Sequence, residues 1–363
     1  MQQIQGYLRR KPIVIMLIFF PLAIISEFTH MGAIWVFAFS SLAIIPFAGF
    51  IGESTEVLAH HTNPRIGGLL NATLGNAAEL IITIVAIRAG LLDLVKASIT
   101  GSILGNLLLV LGMAMFLGGI RHGVQKFDRR QASQNGILLL LSVIILLIPS
   151  LLSHYIGDIS HYDPKVETLS LGVAIVMIMI YALGLIYSFK AVEGPTPVDN
   201  ENEHSTLQTN WSIRTALIVL GLATAGVAYL SEVLVGAIEP LVTTFGISEF
   251  FIGIIFIPLI GNVAEHMVAV QVAVKNKMSL SVEIAVASSL QIALFVAPVL
   301  VFISLLLGNP LTLIFNQFEL LALIAGVLIT VFVSEDGESN WLEGAELLAI
   351  YFILGLAFFL LPK

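Results

Sequence analysis

Two glutamates in apolar surroundings carry nearly the same flanking phrase, once in each half of the chain. The first phrase is Gly-Asn-Ala-Ala-Glu-Leu at 75–80, and the second is Gly-Asn-Val-Ala-Glu-His at 261–266. Glu79 and Glu265 are 186 positions apart, since 265 − 79 = 186. A carboxylate in hydrocarbon costs about 2.5–3.5 kcal/mol even on the mildest insertion scale, so two of them in matching contexts indicate a functional use. Paired phrases of this kind are typical of the midplane site of a transporter built from repeats.

Each glutamate follows an asparagine by three positions, so the two side chains share one face of a helix. Asn76 precedes Glu79, and Asn262 precedes Glu265. Carboxylate and amide oxygens are ligands for a hard cation such as calcium, which takes about 6–8 oxygens. Zinc and copper prefer imidazole and thiolate, whereas the chain has no cysteine and His266 is the one histidine of either phrase. The sequence therefore predicts calcium as a transported substrate and no resident cofactor.

Two ionised carboxylates in a medium of low dielectric constant repel each other, so the pair is expected to be filled at all times. Either one divalent cation or protons would neutralise Glu79 and Glu265. Competition for the same oxygens couples a flux of metal to a flux of protons. These electrostatics predict that the protein is an antiporter. An enzymatic activity is not expected.

Further residues are expected to complete the site. Pro258 with Gly261 in the second half, and Gly75 in the first, should break or bend a helix and free backbone carbonyls as ligands. Polar side chains on the following helix of each half are predicted to support the site: Ser102 and Asn106, then Ser288 and Gln291, with His266 beside the second glutamate. For these supporting residues, ordinary packing between helices is an open alternative.

The elements that carry these residues are predicted to be membrane-spanning helices. Hydrophobic residues make up 58% of the 363 positions and charged residues 11%, and the mean hydropathy is +0.99, whereas soluble domains are about one quarter charged. The fold class is therefore an all-α integral membrane protein. Eleven helices are expected, near 12–27, 32–61, 65–90, 93–119, 131–152, 165–190, 211–238, 247–274, 279–307, 316–334 and 341–361.

An acidic, proline-containing linker at 192–210 divides the chain. It separates a five-helix unit at 32–191 from a second at 211–363, and an extra N-terminal helix lies in 1–31. With the N-terminus in the cytoplasm, 16 − 4 = 12 of the Lys and Arg residues fall inside, and the four outside are Arg88, Lys96, Lys165 and Lys363. This distribution predicts a C-terminus outside the cell membrane and two repeats of inverted topology.

Four further acids are candidates for an access path or a proton relay. Glu53 and Glu56 are three positions apart near the end of the second predicted helix, and Glu232 and Glu239 are seven apart in the seventh. Thr55-Glu56-Val57-Leu58 matches Ser231-Glu232-Val233-Leu234 at a shift of 176, since 232 − 56 = 176. A solvated role near the helix ends is the alternative for these acids.

The phrases and their surroundings resemble the cation/proton exchanger (CAX) family. The segment Leu-Leu-Asn-Ala-Thr-Leu-Gly-Asn-Ala-Ala-Glu-Leu-Ile at 69–81 is similar to the first signature of that family. The second phrase, with Lys-Asn-Lys-Met at 275–278 and Ser-Ser-Leu-Gln-Ile-Ala-Leu-Phe at 288–295, is similar to the second. The resemblance implies eleven helices and exchange of calcium for protons through Glu79 and Glu265, with Asn76 and Asn262 assisting.

Other functions remain open at this point. A sodium/calcium exchanger of the same superfamily is the nearest alternative, although alanines at 77, 78 and 264 leave few hydroxyls for sodium. An intramembrane hydrolase with a carboxylate dyad would not need matched asparagines, and a passive channel would not need a pair that must stay filled. The expected partners are calcium, protons and the lipid bilayer, with no nucleic acid, and a homo-oligomer is left open.

Overall fold

A computed structural model of the chain describes residues 12–62, 64–156, 164–191 and 211–361. Within these ranges the chain is almost entirely helical. The predicted linker at 192–210 lies outside the described residues, as do the two ends of the chain.

The first half begins with a 3₁₀ helix, Pro12–Ile18. It continues with α1 (Phe19–Phe28), α2 (Ala33–His60), α3 (Pro64–Leu74), α4 (Ala77–Arg88), α5 (Leu92–Leu104), a π-helix (Gly105–Val110), α6 (Leu111–His122), α7 (Arg129–Ile156) and α8 (Pro164–Ala191).

The second half contains α9 (Ile213–Gly236), α10 (Ile238–Phe245), the short α11 (Glu249–Phe251), a π-helix (Ile252–Phe256), α12 (Ile257–Val274), α13 (Met278–Gln291), a π-helix (Ile292–Val296), α14 (Ala297–Leu307), α15 (Gln317–Val333) and α16 (Trp341–Leu360). Two-residue strands β1 (Gln125–Lys126) and β2 (Glu338–Ser339) pair antiparallel between two loops. This small ladder is the one sheet in the described part of the chain, and the sequence did not predict it.

Eight helical segments of the described chain are long and apolar enough to cross a membrane. Two shorter apolar helices lie at 13–28 and 317–333, and α3 with α4 forms a further segment that is interrupted. Several buried hydroxyls in these helices bond to the preceding turn of their own helix, as Thr55 does to Ile51 O over 2.8 Å. The count of eleven helices and the inverted repeat stay predictions.

The two phrases lie in helices of different shape. In the first half, α3 ends at Leu74 and α4 begins at Ala77, so the helix is broken at Gly75 and Asn76. In the second half α12 runs without interruption through Gly261, and the predicted break there is wrong. The irregularity lies earlier, in the π-helix Ile252–Phe256 that precedes Pro258. Pro258 lies inside the continuous helical segment Glu249–Val274, directly after this π-helix, so the missing proline N–H goes with a change in helix type and not with a break.

Four helices bring the phrases together. The helix α12 packs against α4 and α5, and it is followed by α13 after a tight turn. The helix α5 is buried from Leu94 to Leu104, apart from the partly exposed Lys96. Outside this group, α2 packs along α9, which joins the two halves of the chain a second time.

Candidate cation-binding site

Glu79 occupies the first turn of α4, directly after the break at Gly75 and Asn76. Its side chain is 1% exposed. Two hydroxyls of α5 donate to the Oε1 atom of its carboxylate, Ser98 over 3.4 Å and Ser102 through a short contact. The helix break therefore directs Glu79 against a serine-bearing face of α5.

Asn262 reaches this carboxylate from the second half of the chain. Its Nδ2 atom donates to Glu79 Oε2 over 3.1 Å and lies 3.3 Å from Ser102 Oγ. The two phrases are therefore in direct contact, although 183 positions separate Asn262 from Glu79.

Glu265 has fewer partners and is less enclosed. Its side chain is half-buried, and Ser288 Oγ donates to its Oε2 atom over 2.8 Å. The Glu79 and Glu265 carboxylates are near enough to interact electrostatically. Each glutamate thus has a serine from the helix that follows its own phrase, at matched spacing, since 102 − 79 = 288 − 265 = 23.

The glycines of the phrases allow this close approach. A Cβ atom at Gly75 would lie 3.1 Å from Glu265 Oε1. A Cβ atom at Gly261 would lie 3.1 Å from the Cβ atom of Glu79 and 3.3 Å from its Cα atom. Each glycine therefore faces the glutamate of the opposite half, and a methyl group at Gly261 would press on backbone.

Each of the two asparagines has a side-chain oxygen within the site that accepts no hydrogen bond from the described residues. Asn76 Nδ2 donates to Gln291 Oε1 over 2.8 Å. The Oδ1 atoms of Asn76 and Asn262 are both buried and have no hydrogen-bond partner among the described residues. An unsatisfied buried acceptor costs about 1–3 kcal/mol, and a cation with oxygen ligands would offset that cost.

His266 and Asn106 form a pair beside the site. His266 Nε2 lies 3.0 Å from Asn106 Oδ1, and both side chains are at most 9% exposed. This contact joins α12 to the π-helix that follows α5. It does not reach either carboxylate, so these two residues support the site from one side.

The four predicted access acids lie apart from this cluster. Glu53 is buried and Glu56 half-buried, both near the end of α2. Glu232 is exposed and forms an ion pair with Arg88 over 3.3 Å. Glu239 is exposed in the first turn of α10 and belongs to a different helix from Glu232, because α9 ends at Gly236.

Ser98 is not among the predicted site residues. It has no counterpart in the second half, since position 98 + 186 = 284 is an isoleucine. Its position four residues before Ser102, one turn away on the same helix face, is the signal that could have revealed it. No group of three or more His, Cys, Asp or Glu side chains in the described ranges could hold a metal ion. The oxygens gathered here come instead from two carboxylates, three amides and three hydroxyls.

The sequence of the chain matches the profile of a known protein family. The sequence profile of the family described as sodium/calcium exchanger protein matches residues 32–190 and 215–360. The chain belongs to this exchanger family. The interval between the two matches contains the predicted linker.

Several relatives within the exchanger family are similar over almost the whole chain. A Ca(2+)/H(+) antiporter of Aphanothece halophytica is 44% identical over 364 residues, which cover 96% of each chain. The Ca(2+)/H(+) antiporter ChaA of Bacillus subtilis (strain 168) is 43% identical and covers 94% of this chain and 96% of its own. The resemblance to cation/proton exchangers is thereby confirmed.

Solved structures of exchangers share the fold. Native YfkE has a TM-score of 0.83 at 41% identity, covering 96% of this chain and 100% of its own. The H+/Ca2+ exchanger CAX has a TM-score of 0.69 at 17% identity, covering 96% and 92%, and at that identity it is evidence for the fold alone. These matches, with the apolar helices, confirm the prediction of an all-α membrane protein.

Proposed function

We propose that this chain is a secondary active transporter that exchanges calcium for protons across a membrane. The observation that carries the proposal is the meeting of the two phrases, in which Asn262 bonds to Glu79 and Gly75 faces Glu265. Two carboxylates and two unpaired amide oxygens at one place form a ligand set for calcium. The relatives named Ca(2+)/H(+) antiporter support the same conclusion.

Proton coupling follows from the charge of the pair. With calcium bound, the two negative charges of Glu79 and Glu265 are neutralised. Without calcium they repel each other in a buried setting, so protons must take the place of the cation. One set of oxygens serves both ions in turn, and each therefore displaces the other.

The movement of the site between the two sides is part of the proposal. Two five-helix units at 32–191 and 211–363, inverted with respect to each other, would alternate access to the glutamates. Glu53 and Glu56 near the end of α2 would lie along one access path. Glu232 near the end of α9 and Glu239 at the start of α10 would lie along the other. The membrane is the cell membrane, with the N-terminus in the cytoplasm, the C-terminus outside, and calcium exported from the cytosol.

Exchange of sodium for calcium is the alternative, because the matching family profile bears that description. Sodium sites need oxygens beyond those of the two carboxylates. The phrases offer alanine at 77, 78 and 264, where a hydroxyl could otherwise add a ligand. Both hydroxyls nearest Glu79 already donate to its carboxylate. The site therefore favours protons as the counter-ion.

The decisive experiment is calcium uptake into everted vesicles in sodium-free buffer with an imposed pH gradient. We expect uptake by the parent protein and none by Glu79→Gln or Glu265→Gln, each inserted at the normal level. The matched control is Glu346→Gln, since Glu346 is an exposed acid of the membrane helix α16. A strict requirement for sodium would favour the alternative, and normal uptake by either site variant would overturn the assignment of the glutamates.

A further inference from the structure

The helices that lead away from the two glutamates differ in exposure. In the first half, α5 is buried from Leu94 to Leu104, with the partly exposed Lys96 as the exception. In the second half, α13 has a line of partly exposed residues at helical spacing, and these are Leu280, Glu283, Ile284, Ala287 and Gln291. The helix beside the site in the second half, α13, therefore has more partly exposed positions than its equivalent in the first half, α5.

The line on α13 ends inside the site, because Gln291 accepts a hydrogen bond from Asn76. A second line of partly exposed residues follows α12 toward its C-terminus. It consists of the half-buried Glu265, the half-buried Val268 and the exposed Gln271. Both lines run toward the turn that joins α12 to α13. Together the two lines form a route of partly exposed positions from Glu265 to that end of the bundle. Glu265, Gln271, Glu283 and Gln291 are its polar members, and the other members are apolar.

The helix α3 leads up to the break at Gly75 and Asn76 in the first half. It packs mainly against α2, and its Asn71 is exposed one turn before Gly75. The Asn71 carbonyl accepts the Gly75 amide over 2.9 Å, and Gly75 faces Glu265.

Glu283 is the charged residue on the α13 line. It precedes Ser288 by five residues, which is about 7.5 Å along a helix, and Ser288 bonds to Glu265. None of the described residues forms a hydrogen bond or an ion pair with the Glu283 carboxylate. A carboxylate in a membrane helix without a protein partner needs water or a cation. The equivalent position in the first half is Ala97, since 283 − 186 = 97.

The end of the bundle onto which the route opens is rich in basic residues. Lys275 and Lys277 flank the turn between α12 and α13, and both are exposed. A positive surface repels a divalent cation, and an acid within the opening offsets that repulsion and raises the local cation concentration.

We propose that Glu283 lies on a water-filled passage from the cytoplasmic face to Glu265, where it attracts calcium toward the site without binding it during transport. The proposal rests on the proposed function, because it assigns a residue to the approach of the same cation. It assigns a role to one acid that has no counterpart in the other half of the chain.

Cysteine labelling tests the passage without relying on transport. The chain has no cysteine, so Glu283→Cys introduces a single thiol. We expect a membrane-impermeant, positively charged thiol reagent to label it in everted vesicles and not in right-side-out vesicles, with slower labelling when calcium is present. Ile137→Cys is the control, since Ile137 is an apolar residue of α7 with 66% exposure, and it should stay unlabelled in lipid. If the thiol of Glu283→Cys is as unreactive as that of Ile137→Cys, the proposal of a water-filled passage is refuted.

Transport kinetics test the electrostatic role. Glu283→Gln is expected to raise the half-saturating calcium concentration by about three- to tenfold at low salt, the effect of one charge on a divalent cation nearby. The maximal rate should be unchanged, and the difference should shrink at high ionic strength. Glu335→Gln, which removes an exposed acid after α15, should leave calcium affinity unchanged. Equal affinities in Glu283→Gln and the parent protein would refute the role, whereas absence of antiport in the parent protein would instead refute the proposed function.

Discussion

Asn262 donates a hydrogen bond from its side-chain amide to the carboxylate of Glu79 over 3.1 Å, across the boundary between the two halves of the chain. The equivalent asparagine, Asn76, does not reach Glu265 in the same way. It donates to Gln291 instead. The two half-sites are therefore unequal in this structure, with Glu79 enclosed by three donors and Glu265 held by one.

Under the proposed function, this inequality corresponds to a site that is more accessible at Glu265 than at Glu79. The glutamate with fewer donors is the more exposed of the two, and it adjoins the partly exposed lines of α12 and α13. Calcium arriving along that route would meet Glu265 first. Movement of Asn262 away from Glu79 would then free the second carboxylate.

Removal of the amide at Asn262 should weaken calcium binding more than removal at Asn76. Asn262→Ala loses a hydrogen bond to a charged group, which is typically worth about 1.5–3 kcal/mol. We expect the half-saturating calcium concentration in vesicle uptake to rise by at least about tenfold, and by less in Asn76→Ala. An equal or larger effect of Asn76→Ala would contradict the inequality of the two half-sites.

A methyl group at Gly261 should block the approach of the two halves. The added Cβ atom would lie 3.3 Å from the Glu79 Cα atom, and backbone gives way less readily than a flexible side chain. We expect Gly261→Ala to lose most of its calcium uptake while it still inserts in the membrane. Gly221→Ala is the matched control, because a Cβ atom there meets nothing within 4 Å. Full activity of Gly261→Ala would show that the two phrases are not in contact during transport.

Two adjacent serines of α13 differ in their partners, so they allow a role in the site to be distinguished from a role in helix packing. Ser288 donates to Glu265, whereas the buried Ser289 bonds to the Ala285 carbonyl of its own helix over 2.9 Å. Ser288→Ala should raise the half-saturating calcium concentration by several-fold, because Glu265 loses the donor that orients it. Ser289→Ala should leave it unchanged. Identical behaviour of the two variants in the uptake assay would argue that Ser288 has a packing role.

The sequence predicted which residues lie together better than it predicted the hydrogen bonds between them. A charged residue in an apolar run is conspicuous, and the repeated phrase identified both glutamates with their asparagines. The contacts between halves depend on tertiary packing, so the Asn76–Gln291 and Asn262–Glu79 bonds could not be deduced from spacing along one helix.

The helix interruption shows the same limit. Both phrases contain Gly-Asn at corresponding positions, yet the chain breaks at Gly75 and continues through Gly261. Glycine permits a break without requiring one. Packing against neighbouring helices decides the outcome, and it differs between the halves. The π-helices were not predicted either, because one extra residue in a turn leaves no mark in an apolar sequence.

The pair formed by His266 and Asn106 leads to a prediction about stability. The equivalent of His266 in the first half is Leu80, since 266 − 186 = 80. His266→Leu would remove the partner of Asn106 Oδ1, while the Nδ2 atom of the same amide already has none among the described residues. A buried amide left wholly unsatisfied costs about 1–3 kcal/mol, so the single variant should unfold at a lower temperature in detergent.

The double variant His266→Leu/Asn106→Leu should recover most of that loss, because replacing both partners by apolar groups of similar size is nearly neutral. Thermal unfolding of the purified protein measures the difference between single and double variants. Neither residue contacts a carboxylate, so calcium uptake should follow the amount of folded protein. A double variant less stable than His266→Leu alone would mean that Asn106 has another partner, and a fully stable double variant without uptake would place the pair within the transport site itself.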